Sequence, residues 1–406
     1  IRRQRQMCIR DSPITGATFD LYAAEDITYP DGKSGVIYEK DEKVGSFSAT
    51  DEDGMTSLSD LYLGTYYAVE TSTIAPYYRD QSRVTISLDY AGQEVEVAVK
   101  NQLIDNHRQE CRIVINQRDS ETKQPVAGAV YEVYAGQDIY RQSDGKLLYR
   151  KDQLVTVAEP TGNDGVATVD GLYLSLDEST AKYLSKYYVV QKKAPNGYVY
   201  AENRQELTFE YAGQTININS QNASGENKVQ RGSIQFNKVD SELHSNSVNA
   251  EDRDTNNDGA QADATIQGAV YGLYAAEDIV HKDGHTGNVS YDSVEGSANQ
   301  IVLSKGTDLN VIDTDASAGS LLATAKTDKN GDIKFEHLYL GKYYIKEITP
   351  SEGYTLDTNR YDVSLDYQGQ DRETFDTEKF QVQETVIKQA ITIKKVGVLK
   401  ETQETI

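Results

Sequence analysis

The residues of this chain with the most chemistry to offer are a lysine, a glutamate and an asparagine on the expected inward faces of β-strands. In the stretch GKYYIKE, Gly341 to Glu347, alternation puts Tyr343, Ile345 and Glu347 on one face, so a carboxylate enters the core beside an isoleucine. In SIQFNKVD the same reading sets Ile234, Phe236 and Lys238 on one face and aims an amine inward. In EVEVAVKN, Val95, Val97 and Val99 share a face with Asn101, and in the second repeat Ile216, Ile218, Ser220 and Asn222 repeat that arrangement. Burial disfavours both charged forms, lowering a lysine pKa and raising that of a glutamate. The neutral amine is then a nucleophile and the protonated acid a proton shuttle for the amide carbonyl. Ammonia leaves, and an isopeptide bond joins the first strand to the last, once per molecule and without turnover.

The elements that would hold these groups come from internal repetition. GATFDLYAAEDI from Gly16 returns as GAVYEVYAGQDI from Gly128 and GAVYGLYAAEDI from Gly268. LYLGTYYAVE from Leu61 returns as LYLGKYYIKE from Leu338, with SKYYVVQ from Ser185 between them. Each is followed by a turn and an aromatic (APYY from Ala75, APNGY from Ala194, TPSEGY from Thr349), then by SLDYAGQ, TFEYAGQ and SLDYQGQ from Ser87, Thr208 and Ser364. Short alternating segments broken by DEDG, GNDG and KNGD turns, with no long helical period, predict an all-β fold. The expected architecture is a rod of tandem antiparallel β-sandwiches, immunoglobulin-like in packing two sheets face to face. The expected domains are residues 13–106 with the first strand missing, 107–227, 228–388 with insertions, and 389–406 as the first strand of a fourth repeat. Residues 1–12 resemble the translation of a sequencing-library adapter and are set apart, so the chain reads as a fragment cut at both ends.

Composition narrows the function. Of 406 residues, Lys and Arg number 41 against 64 Asp and Glu, a formal charge of −23 that repels phosphate backbones and excludes nucleic acid as a partner. No run of 18 apolar residues predicts a membrane span. Two cysteines, Cys8 and Cys111, make no disulfide framework, and Cys111 near the start of a strand reads as a packing residue or free thiol.

The three ordered motifs of each repeat resemble tandem SpaA-like, prealbumin-type domains (the collagen-adhesin B-type group) of Gram-positive surface proteins and pilins. The family's E-box, aromatic-x-x-Glu followed by Ala-Pro-x-Gly-Tyr, is matched by YYAVE…APYY and by YYIKEITPSEGY. The resemblance implies a stalk or pilus segment, exported, attached to peptidoglycan or a sortase-linked pilus, with Lys–Asn isopeptide crosslinks and no cofactor. Carried over residue by residue, it gives Glu70 and Asn101 in the first repeat, whose lysine position falls in the adapter-like head near Arg5. The second repeat has Asn222, with Gln117 and Gln191 in place of Lys and Glu, and so stands as a copy without a crosslink. The third has Lys238 and Glu347 with Glu378 at the asparagine position and Asp376 two before it. Either a buried salt bridge or a Lys238–Asp376 amide fits that set. Lys395, with Ile391 and Ile393 on its face, opens the fourth.

Other candidates weigh less. Asp254, Asn256 and Asp258 in DTNNDG begin like a calcium loop, but its closing acid is missing, and a solvated polar loop is the expectation. The HKDGH stretch, His281 to His285, has a metal-like spacing at a place where the other repeats carry plain turns. The tyrosine-rich segments recur at equivalent positions and are expected to be sandwich packing rather than glycan platforms. An alternative function is an adhesin module that binds a host protein or glycan through the insertions of the third repeat. A hydrolase has no supporting motif.

Overall fold

The structure is a computed structural model, and it describes residues 13–31, 33–92, 99–141, 145–177, 180–241, 265–279, 281–282, 300–301 and 318–397. The adapter-like head, residues 94–98 of the EVEVAVKN stretch, the DTNNDG loop and most of both insertions of the third repeat lie outside these residues, as does HKDGH after Lys282. Among the described residues every regular element is a β-strand and no helix occurs. The chain divides into two compact units, residues 1–195 with 200–227, and residues 196–199 with 228–406.

In the first unit, the first repeat forms a four-stranded antiparallel sheet in the order Lys43–Ser46, Thr18–Ala23, Gly64–Ser72, Val84–Leu88. Thr18–Ala23 alternates strictly, with Phe19, Leu21 and Ala23 buried. The second repeat is a two-layer sandwich. One layer is built on Val130–Ala135 and Lys182–Lys193, flanked by Leu154–Val157, Leu176–Asp177 and Arg204–Glu210. The other has Glu110–Asp119 in its centre, antiparallel to Val166–Leu172 and parallel to Ile218–Asn227. Cys111, Ile113 and Ile115 from one layer meet Tyr131, Val133, Tyr187, Val189 and Phe209 from the other in a single core.

The second unit repeats the plan. Val270–Ala275, Gly341–Thr349, Arg360–Leu365, Leu321–Lys326 and Gln300–Ile301 make one sheet. Arg231–Asp240 is central to the other, antiparallel to Asp332–Tyr339. Thr374–Asp376 and then Phe380–Glu384 run parallel to it. Phe236 and Tyr271, one from each layer, meet edge to face at 4.9 Å. Among the described residues the strand pairings are antiparallel except in the second and third repeats, where the first strand pairs in parallel with the last. That pair is what brings lysine-type and asparagine-type positions side by side.

The tyrosines serve both faces of the larger sheets. Tyr66, Tyr187 and Tyr343 point inward and are buried, as expected of sandwich packing. Their neighbours point outward and stack across strands: Tyr22 on Tyr67 at 5.2 Å, Tyr134 on Tyr188 at 5.1 Å, Tyr274 on Tyr344 at 4.9 Å. Arg83, Arg204 and Arg360 from the adjoining strand cap the stacks at 4.3, 3.7 and 3.9 Å from the ring centres. Cation–π and stacked pairs of this kind each add about 0.5–1 kcal/mol at exposed sites and fix the pairing of a sheet's outer strand.

Candidate functional site

The second and third repeats hold a polar cluster inside the apolar core, fed by the E-box strand, the first strand and the last, and in the first repeat Glu70 of the E-box strand meets Asn106. In the third repeat Lys238 comes from near the C-terminal end of Arg231–Asp240, preceded on its face by Ile234 and Phe236. Its Nζ donates to Glu347 Oε1 at 2.8 Å and to the Tyr271 hydroxyl, and stands 3.2 Å from Glu384 Oε2. The side chains of Lys238, Glu347 and Glu384 are all withdrawn from solvent. Glu347 Oε2 accepts the Asp357 amide at 2.7 Å, so that carboxylate is fully engaged. Neither oxygen of Glu384 is aligned for a hydrogen bond, which leaves it an ion-pair partner only. One ammonium thus faces two carboxylates, an excess of negative charge in a dry place.

In the second repeat the same three positions are neutral amides. Gln117 Nε2 and Gln191 Nε2 donate to Asn227 Oδ1 at 2.9 and 2.8 Å, and Asn227 Nδ2 donates back to Gln191 Oε1 at 2.9 Å. Tyr131, the counterpart of Tyr271, donates to Gln117 Oε1 at 2.5 Å. Space for that hydroxyl comes from Gly225, where a Cβ would stand 1.8 Å from it. In the first repeat Glu70 is buried, and its two oxygens accept Asn106 Nδ2 at 2.7 and 2.9 Å, with the Asp80 amide on Oε2 at 3.0 Å. Burial pushes the Glu70 carboxyl above its usual range, and the Asn106 and Asp80 donors pull it partly back.

The structure brings Lys238 to Glu347 and Gln117 to Gln191, buries Glu70 in the first repeat, and sets other residues than expected at the asparagine position. Asn101, Asn222, Glu378 and Asp376 are all exposed. The residues that meet the E-box are Asn106, Asn227 and Glu384. In the second repeat the last strand starts at Ile218, and its buried set is Ala223, Gly225 and Asn227, which leaves Asn222 on the outer face. The apolar alternation upstream misleads, because Ile216 and Val99 lie exposed in connecting segments. In the third repeat the strand is interrupted: Ser233 pairs Asp376 while Phe236 pairs Phe380, three residues against four. One extra residue turns every later side chain to the other face. Asp376 then points outward to Lys334 at 3.0 Å, so an amide from Lys238 to Asp376 is excluded by the geometry. A clue was present, since Glu384 lies three residues before Ile387 as Asn106 and Asn227 lie three before Gln109 and Gln230. Lys395, Ile391 and Ile393 are exposed and outside any strand.

His281 is buried against Tyr339 at 5.4 Å, and no group of His, Cys, Asp or Glu among the described residues is placed to hold a metal ion. Cys111 is a free thiol in the core of the second repeat, which pushes its pKa up to about 12 and makes it inert. No helix among the described residues is long and apolar enough to cross a membrane.

Titration of Glu384 gives the cluster a signature. Burial, opposed by Lys238 and reinforced by the charge of Glu347, pushes its carboxyl up to about 7 from 4.5. The folded form keeps this proton where the unfolded form has lost it, so folding is favoured at low pH. That contribution is lost as pH rises from about 4.5 through about 7, up to roughly 3 kcal/mol over the window. In protein still at its full sequence mass, with Lys238 and Glu384 not yet joined, denaturant unfolding at pH 4 to 8 should show this slope. A Glu384 tied up in a covalent bond would show none.

Comparison with known proteins agrees with this architecture. The family model for the SpaA prealbumin-like fold domain matches residues 9–103 and 256–381. No curated protein matches in sequence. Among solved structures, the Bacillus anthracis TIE protein is 18% identical with a TM-score of 0.45, over 93% of this chain, which spans only 48% of that protein. A streptococcal ancillary pilin is 13% identical with a TM-score of 0.26, over 94% of this chain and 95% of its own. BcpA, the major pilin subunit of Bacillus cereus, is 14% identical with a TM-score of 0.25, over 93% and 97%. With the family model covering more than half of its residues, the chain belongs to the SpaA family of prealbumin-like fold domains.

Proposed function

We propose that this chain is a load-bearing segment of a bacterial surface protein, a stalk or pilin-type array outside the cell and attached to its wall, and that its chemistry is one intramolecular bond per competent repeat rather than turnover. The observation that carries this reading is the contact of Lys238 with Glu384, 3.2 Å apart with both side chains fully buried, between strands that run parallel. Force applied to the two ends of such a repeat is shared by those two strands, so a bond between them stiffens the fold where it is loaded.

The bond forms by condensation. Lys238 as the neutral amine attacks Cδ of protonated Glu384, Glu347 carries the amine proton to the departing hydroxyl, and water leaves. A neutral amide replaces a buried ammonium and one of its two carboxylates, which removes an ion pair from the dry pocket while the net charge stays the same. In the first repeat Glu70 already holds the Asn106 amide, the pair that an incoming lysine would need. The second repeat, neutral throughout, is held by hydrogen bonds alone.

Intact mass of the denatured chain tests this directly. The wild type should be lighter than its sequence by one water. Glu384→Gln should reach the same amide by losing ammonia instead, and Glu347→Ala should stop both. A wild type at full sequence mass would sink the crosslink and leave a buried ion pair.

A further inference from the structure

The cluster of the third repeat contains one group that the condensation of Lys238 with Glu384 leaves unused, the Tyr271 hydroxyl. Tyr271 comes from Val270–Ala275 and stands opposite Glu347 of the E-box strand. It is fully buried, and its ring meets Phe236 edge to face at 4.9 Å. Its oxygen accepts a hydrogen bond from Lys238 Nζ, which also lies 4.8 Å from the ring centre. Burial, reinforced by the charges of Glu347 and Glu384, pushes this hydroxyl far above its ordinary range. It therefore keeps its own proton and cannot serve as the base for the lysine. What it offers the amine is a neutral oxygen.

The repeats differ at this position. Phe19, Tyr131 and Tyr271 pair alike with Glu70, Gln191 and Glu347 of their E-box strands. In the second repeat the Tyr131 hydroxyl occupies the space above Gly225 and donates to Gln117. In the third repeat Lys238 pairs with Val382 where Gln117 pairs with Gly225. A valine Cβ fills the space that the glycine leaves open, and the Tyr271 hydroxyl meets the lysine nitrogen instead. The first repeat has no hydroxyl here, and Phe19 is buried all the same, so this place in the fold accepts a phenylalanine.

We propose that Tyr271 aims the Lys238 amine at Glu384 by accepting one of its N–H groups. A neutral amine has two N–H groups and one lone pair, and only the lone pair attacks carbon. Around Nζ stand Glu347 Oε1 at 2.8 Å, the Tyr271 oxygen, and Glu384 Oε2 at 3.2 Å. With its two N–H groups on Glu347 and Tyr271, the amine turns its lone pair to Glu384. Without the hydroxyl, the N–H groups go to the two acids and the lone pair faces away from the carbon it must reach. This role rests on the Lys238–Glu384 bond proposed above and leaves its balance unchanged. Tyr271 gives up no proton, the amine proton passes through Glu347 to the departing hydroxyl, and water leaves.

Cell-free synthesis of the full chain starts a clock, and intact mass of denatured samples then follows the loss of one water. Tyr271→Phe, the side chain of the first repeat, should slow that loss roughly tenfold, the effect of one hydrogen bond that orients a reacting group. In the Glu384→Gln chain the loss of ammonia should slow by the same factor, because the aim of the amine does not depend on the leaving group. Hydrogen exchange of the Arg231–Asp240 amides serves as the structural control, read in the Glu347→Ala chain, which should not form the bond. Adding Tyr271→Phe there should change exchange by less than about twofold. A wild type that loses water while Tyr271→Phe keeps pace overturns the role of Tyr271 and leaves the bond standing. So does a slowing confined to one leaving group, or one matched by an equal rise in exchange, which would make Tyr271 a packing residue. A wild type that stays at its full sequence mass overturns the bond, and the role of Tyr271 with it.

Discussion

Lys238→Ala destabilises the third repeat by about 3–5 kcal/mol, because it leaves two carboxylates facing each other in a pocket closed to water. The loss goes beyond the lysine's packing. Glu347 keeps the Asp357 amide as a donor, but Glu384 has no aligned donor and loses its only charge partner. Glu384 must then take up a proton or open the core, and either costs folding free energy. The chain carries its own remedy. Lys238→Gln with Glu347→Gln and Glu384→Asn copies the second repeat, where three amides satisfy one another beneath a tyrosine hydroxyl. That triple variant should recover most of what the single one loses. Hydrogen exchange of the Arg231–Asp240 amides reports the local stability, and a loss under about 1 kcal/mol for Lys238→Ala would mean the acids are hydrated or already neutral.

How much of this was legible beforehand follows from which signals are local. Period-two alternation in TFDLYA, VYEVYA and VYGLYA sets Phe19, Tyr131 and Tyr271 at equivalent positions on one face, and that face is buried, because each of these strands lies in a sheet with one buried face. The same logic puts Glu347 and Lys238 on inward faces, the resemblance supplies Glu70, Gln191 and Gln117 at the matching positions, and all five are buried. It fails at the last strand. There the apolar residues nearest the Tyr-x-Gly loop belong to connecting segments, and the true buried set carries only Ala223 and Gly225 before Asn227. Hydrophobicity has little to read in alanine and glycine. What fixes the register is the parallel pairing to the first strand, Asn227 opposite Asp119 and Glu384 opposite Asp240, a long-range fact with no local trace. The tyrosines divide for a similar reason. A Tyr-Tyr pair always sends one ring inward and one outward, and only cross-strand neighbours show that the outer ring stacks beneath an arginine.

The second repeat supplies the reverse experiment, and its effects are of similar size. Gln117→Lys alone puts an ammonium among neutral amides at a position closed to water, at a cost of about 3–5 kcal/mol or a strongly lowered lysine pKa. Adding Gln191→Glu completes a set this repeat lacks, with Lys and Glu converging on the native Asn227. The Gln117 and Gln191 amides already lie 2.9 and 2.8 Å from Asn227 Oδ1, so the acid would sit where it can polarise that carbonyl while the amine approaches its carbon. Tyr131 takes the place beside the lysine that Tyr271 holds beside Lys238. The double variant should regain stability over Gln117→Lys and, on denatured intact mass, be lighter than its sequence by one ammonia. Adding Asn227→Ala should abolish that deficit. A double variant that folds at full sequence mass would show that convergence of the three side chains is not sufficient for the bond. The second repeat would then differ from a crosslinking one in more than two residues.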